Sequence, residues 1–299
     1  MTPGNQNGLT RRDFVKGAAA AGLTAAAWPL AAKQVLAKSE MSRVVLIRDP
    51  NVVSVDGTLD GQILIRMFDD AVTLLMNEAN STAAWKKMAN SDDVVGVKSN
   101  VWRFLRTPPV LENHIAKKLT GVGVKPDNID IRDRGILKNE VFKNSTAIIN
   151  VRPLRAHHWA GVGGCIKNLI MFDPNPSKYH ADACAELGNL FDLPILKNKV
   201  RMHCLLMLQP LYNCKGPHDF QKQFTWHYNG LLVSEDPVAV DAIGVSILQA
   251  KRLQEFRENR PFTTSIKHIR LADERYGLGN SKQENIELVR IGWEEGILI

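Results

Sequence analysis

The stretch "STAIINVRPLRAHHWAGVGGCIKNLI" (residues 145–170) decides how this chain must fold. Its first part, Ser145 to Pro153, is almost fully apolar. A strand apolar on both parities is buried on both faces, as in a parallel sheet covered by helices above and below. The apolar run gives way to His157, His158 and the glycine cluster "AGVGG", and a helix follows. Strand, polar turn and helix in that order are the repeating unit of an α/β domain.

The alternation extends in both directions. Strands are predicted at residues 42–49 ("SRVVLIRD"), 92–100, 127–133 and 199–209, and a last one at 284–292. Ile63, Met67, Val72 and Met76 recur at helical spacing within residues 60–79. Residues 108–123 open on proline and close on glycine, the signature of a helix with both ends marked. "GLLVSEDPVAVDAIGVSILQAKRL" (230–253) reads as strand, cap and helix, with Asp236 as N-cap and Pro237 at the first helical position. A further helix is predicted at 264–279, and helical or mixed segments through 181–193. The fold class is α/β, a mostly parallel sheet with helices on both faces. Residues 42–299 form one domain with an elaborated middle, about 152–230.

The first 37 residues stand apart. Arg11 and Arg12 precede Phe14 and Lys16, and no charge occurs from Gly17 to Ala32. That run is too short to span a bilayer, and Val35-Leu36-Ala37 suits a signal peptidase. The pattern is that of a twin-arginine export signal, which implies the export machinery as a partner and a periplasmic or extracytoplasmic location. Proteins on this route fold first, which suits uptake of a metal or organic cofactor before export. Without residues 1–37, which hold Arg11, Arg12, Lys16, Lys33 and Asp13, the net charge falls from +7 to +4. So mild a balance, without a basic stripe, argues against a nucleic-acid partner. No later segment is predicted to cross a membrane. Cys165, Cys184, Cys204 and Cys214 form no C-x-x-C pair. They read as buried thiols rather than as an iron–sulfur or zinc framework.

Ligands of open α/β sheets sit beyond the carboxyl ends of the strands. Lys98 and Asn100 close one strand, followed by Arg103 and Arg106. Arg152 and Arg155 close another, followed by His157 and His158. Together these turns predict an edge that binds a carboxylate or phosphate. Adjacent His157 and His158 on extended backbone point to opposite sides, so one of them faces a pocket. Gly163 and Gly164 let backbone approach a ligand and offer amides at a helix start, a natural anion site. Lys167 follows within the helix, where burial would lower its pKa. Asp241, inside an apolar helix, needs a partner such as a lysine, an arginine or an amide if it faces the core.

These motifs, with "VVGVKSN", "TPPVLENHIAKKLTGVGVKPDNIDIRD" and "GLLVSEDPVAVDAIG", resemble domain-of-unknown-function family 362 over about residues 42–292. Some members of that family carry an added ferredoxin-like segment, which this chain lacks. Locally, "HHWAGVGGCIK" is similar to the signature of nickel-pincer lactate racemases. That resemblance implies Lys167 as a cofactor anchor, Gly163 and Gly164 beside the cofactor, His157 as catalytic acid or base, and His180 as metal ligand. It implies a shared site architecture rather than racemase activity, because "RGILKNE" (134–140) lacks the histidine expected there. The expectation is an exported protein binding a small anionic substrate through Lys98, Asn100, Arg106, Arg155 and His158. His157 and Lys167 would be its catalytic residues. An iron–sulfur or electron-transfer partner and a non-catalytic anion-binding module are the alternatives.

Overall fold

The strand at the centre of the opening stretch, β4 (Ala147–His157), lies in the middle of an eight-stranded sheet and is buried along nearly its whole length. The computed structural model describes residues 41–214 and 219–299. The export-signal reading falls on residues 1–37, which lie outside the described residues. The other strands are β1 (Ser42–Arg48), β2 (Val95–Lys98), β3 (Ile129–Arg132), β5 (Gly161–Gly163), β6 (Val200–Leu211), β7 (Gly230–Ser234) and β8 (Ile286–Gly292). Their spatial order is β3-β2-β4-β6-β7-β1-β8, with β5 pairing off β4 as a short hairpin. β7 runs antiparallel to both its neighbours. The β4–β5 hairpin is also antiparallel, and the remaining pairs are parallel. The predicted α/β class, mostly parallel, is therefore what the structure shows.

Helices cover both faces. On one lie α1 (Gly61–Leu75), α2 (Ser81–Met88) and α3 (Pro109–Gly121), packed on Val45, Ile47, Val97, Ile149 and Val151. In α1 the buried residues Leu64, Met67, Phe68, Ala71, Val72 and Leu75 form one stripe, and Asp60 caps the amides of Gln62 and Ile63. Helix α2 was not expected from apolar periodicity. It is short, capped by Asn80, and anchored by the buried Trp85. On the other face lie α4 (Glu140–Lys143), α5 (Cys165–Asn168), α6 (Pro237–Phe256) and α7 (Lys267–Glu274). Asp236 caps α6 through the amides of Val238 and Ala239, as the Asp-Pro pair predicts. Among the described residues, no helix is long and apolar enough to cross a membrane.

The segment predicted as helical or mixed is a run of 3-10 turns, residues 176–192, interrupted by a left-handed bend at Asp182, Ala183 and Cys184. Left-handed backbone costs a non-glycine residue about 1–2 kcal/mol. Here the bend turns Cys184 into the core, where its thiol meets the carbonyl of Trp159, and pairs Asp182 with Lys267.

The connections create the site. From β2 the chain leaves for α3 on one face; from β4 it leaves for α5 on the other. Since β2 and β4 are adjacent, their exits diverge and a crevice opens between their carboxyl ends. This is the switch point at which open α/β sheets bind ligands.

One close contact sets how α4 packs on the face of the sheet. A Cβ on Gly96, in β2, would lie 2.6 Å from the Phe142 ring, and Phe142 is fully buried. The ring rests directly on the strand backbone. Gly96→Val is expected to lower stability by about 1–3 kcal/mol through overpacking, read as a shift of the urea midpoint at unchanged m-value.

Candidate functional site

The site is assembled around α5. Its first two amides, Cys165 N and Ile166 N, donate to the two carboxylate oxygens of Asp241 at 2.6 and 3.0 Å. Asp241 reaches them from the middle of α6 and is fully buried. Burial pushes its carboxyl up to about 6, against the pull of those two amides. The glycines before α5 serve this packing. A Cβ on Gly164 would lie 2.2 Å from the Asp241 carboxylate, and one on Gly163 would lie 2.9 Å from the Arg152 guanidinium. The expectation that Gly163 and Gly164 open the backbone to a cofactor is thus corrected. They make room for the protein's own carboxylate and guanidinium, and the helix-start amides are already taken.

Below the crevice, Asn168 is the hub of a buried polar network. Its Nδ2 donates to Asn150 Oδ1 at 2.8 Å, and its Oδ1 accepts from Asn100 Nδ2 at 3.1 Å and from Lys98 Nζ at 3.3 Å. Lys98 Nζ also donates to Asp133 Oδ1 at 2.6 Å. Burial lowers Lys98 to about 8, partly offset by Asp133. Asn150 Nδ2 in turn donates to Cys165 O and to His203 Nδ1. The network ties β2, β4, β6 and α5 into one base. Lys98, expected to touch substrate, is consumed in it.

Above this base is a cleft of about 320 Å³. Asn100, Arg152, Arg155, His157, Lys167 and His180 line it, together with Trp102, Asp133, Arg134 and Trp159. Arg152 is 2 % exposed. It donates from Nη1 to Gly164 O and from Nε to Pro153 O, while its Nη2 has no partner. The Arg155 guanidinium lies 4.1 Å from the Trp102 ring, and its buried Nε also lacks a partner. Burial pushes Arg155 down to about 9, still cationic at neutral pH. Lys167 is 5 % exposed and sits beside the Cys184 thiol. Burial, with Arg152 and Arg155 nearby, brings its ammonium down to about 8.

His157 is held neutral. Burial and three neighbouring cations, Arg155, Lys167 and Arg152, drive its pKa far below the usual imidazole value. Its Nδ1 accepts the backbone N–H of Trp159 at 3.2 Å, so the ring proton resides on Nε2. This arrangement suits a hydrogen-bond donor better than a general base. His180 stacks on Trp159 at 4.0 Å, and burial, with Lys167 and His158 beside it, lowers it to about 4.

Two expected residues lie elsewhere. Arg106 lines a separate, mainly apolar cavity of about 200 Å³ with Pro153 and Gln209. The turn from Asn100 to Thr107 carries its side chain away from the crevice. His158 is not among the cleft residues. The strand ends at His157, so the alternation of faces stops there, and the His157 and His158 rings stack at 5.3 Å. Asp133, Arg134, Trp102, Trp159 and Asn168 were not anticipated. For Asp133 and Arg134 the signal was their position at the end of a predicted strand and directly after it.

Lys167 and His180, paired by the racemase-type signature as anchor and metal ligand, do share the cleft. Yet among the described residues no three His, Cys, Asp or Glu side chains gather as a metal set. The four buried cysteines form no such set either.

Residues 112–246, which include β4, α5 and Asp241, match the family model described as "Domain of unknown function (DUF362)". No curated protein and no solved structure matches the chain.

Asp241 should be the site's structural keystone. Asp241→Ala would leave two buried amides unpaired and is expected to cost about 2–4 kcal/mol, measured by urea denaturation. Asp241→Asn, which keeps one acceptor, should cost less. Equal effects of the two substitutions would show that the amide bonds are not what Asp241 contributes.

Proposed function

We propose that this chain binds a small anionic molecule in the cleft between the ends of β2 and β4, with Arg152, Arg155 and Lys167 as its positive contacts. The observation that carries this reading is the pair of buried, unpartnered guanidinium nitrogens, Nη2 of Arg152 and Nε of Arg155. A buried donor without an acceptor costs about 1–3 kcal/mol, more when charged. Ligand oxygens would recover that cost. The charge balance points the same way. The one carboxylate of the lining, Asp133, is engaged by Lys98. The remaining cations face a cleft whose histidines are neutral.

Within this reading each residue has a distinct task. Arg152 and Arg155 supply fixed, directional donors, as guanidinium groups do for carboxylates and phosphates. Asn100 adds a neutral polar contact at the cleft wall. His157, with Nδ1 engaged, offers its Nε2–H as a donor. Lys167, at about 8, is the group able to exchange a proton near neutral pH. It is therefore the residue to which an acid–base or nucleophilic step would fall.

Titration of carboxylates and phosphates into the full chain tests the reading by calorimetry. Arg155→Met should weaken anion binding about ten-fold or more, equal to about 1.4 kcal/mol or above. Unchanged affinity would remove Arg155 from the site.

The pH dependence has a defined sign. An anion favours the protonated amine, so binding raises the Lys167 pKa above its free value. Affinity should be level below pH 8 and fall as pH rises beyond it. Lys167→Met should weaken binding and flatten the profile above pH 8. A decline that persists in this variant would assign the titration to another group.

We infer further that the chain is exported by the twin-arginine route, on the strength of Arg11, Arg12, Phe14 and Lys16 and the uncharged run that follows. Replacing both arginines by lysine is expected to leave the chain unprocessed in the cytoplasmic fraction. Normal processing and export of that variant would overturn this.

A further inference from the structure

The cleft does not end at its arginines. A second pocket of about 370 Å³ opens beside it, lined by Val101, Trp102, Arg103, Phe104 and Arg134. Trp102 and Arg134 belong to both pockets. The two hollows therefore adjoin along a shared wall, Trp102 and Arg134, with buried Arg152 and Lys167 on the inner side and Arg103 on the outer.

The chemistry of the adjoining hollows is polarised from one to the other. The inner end holds Arg152, Arg155 and Lys167. The outer end holds Arg103 and Arg134, neither of which has a carboxylate partner among the described residues. The aromatic segment between the ends is closely packed. Phe104 stacks on Phe220 at 4.6 Å and 10°, Trp102 meets both rings edge-on, and Arg155 and Arg103 lie over Trp102 and Phe104. A clasp of this kind holds the Trp102 loop in place before any ligand arrives, which lowers the ordering cost of binding. A single carboxylate or phosphate at the inner end would leave the outer arginines unmatched.

Resting on the anion-binding reading, we propose that the ligand is an elongated molecule with two anionic groups. One is held at Arg152, Arg155 and Lys167; the other is held at Arg103 and Arg134; an apolar or flat spacer lies along Trp102. The outer pair thus determines specificity. It selects dianions over monoanions of the same skeleton, while the inner set provides the primary attachment.

The test uses the full chain at low ionic strength, where charges near the surface are least screened. Calorimetry compares butyrate with glutarate and benzoate with isophthalate. In at least one pair the more highly charged member should bind about ten-fold tighter. Arg103→Gln should erase that advantage while leaving the monoanion's affinity within about two-fold. Arg134→Gln, at the junction, should weaken the dianion more than the monoanion. If monoanions bind and no dianion binds more tightly, the inference fails and the anion site stands. The same holds if the advantage survives both substitutions. If no anion of any pair binds, the underlying anion-site reading fails and this inference falls with it.

Discussion

The site depends on a carboxylate that never meets a ligand. Asp241, buried in the middle of α6, accepts the first two amides of α5. It thereby fixes a four-residue helix too short to be stable by itself. That helix carries Lys167 into the cleft and Asn168 into the network beneath it. The glycines preceding it leave space for the Asp241 carboxylate and for the Arg152 guanidinium. Helix position, cation placement and the hydrogen-bonded base are consequences of one buried acceptor.

Charge explains the rest of the site's character. Several cations converge at the edge of the sheet, and one carboxylate, Asp133, faces them while already paired with Lys98. Such a grouping is unfavourable in an apolar surround. Its effects are visible in the lowered pKa values of Lys98, Arg155 and Lys167, and in a neutral His157. The polar base around Asn168 answers part of the cost. The unpartnered guanidinium nitrogens mark the part that protein groups do not answer.

Much of the site could be read from residue order because it follows strand ends. Asn100, Arg155 and His157 lie at or just beyond a predicted strand and Lys167 in the helix that follows, and all line the cleft, as does His180. The readings that moved are those that depend on direction. Arg106 turns into a different cavity, and His158 leaves the alternation because the strand stops one residue earlier. Lys98 is drawn inward by Asp133, and Gly163 and Gly164 face protein groups. Trp102 and Trp159 were invisible as cleft walls, since an aromatic residue in a loop reads the same whether it packs or lines a pocket.

By itself, the sequence determined the α/β class. Continuous apolar strands such as residues 147–151 demand cover on both faces, and their alternation with helices supplies it. It also determined the ends of α6, through Asp236 and Pro237, and the concentration of polar residues at strand ends. Only the tertiary structure decided the strand order, the antiparallel insertion of β7 and the divergence of α3 and α5 that opens the crevice. Periodicity records which residues are buried and carries no information about a strand's neighbour or direction. The pairing of Asp241 with Cys165 and Ile166 was likewise undecidable in advance. The partners lie 76 and 75 residues apart in the chain, and only folding brings them within hydrogen-bonding distance.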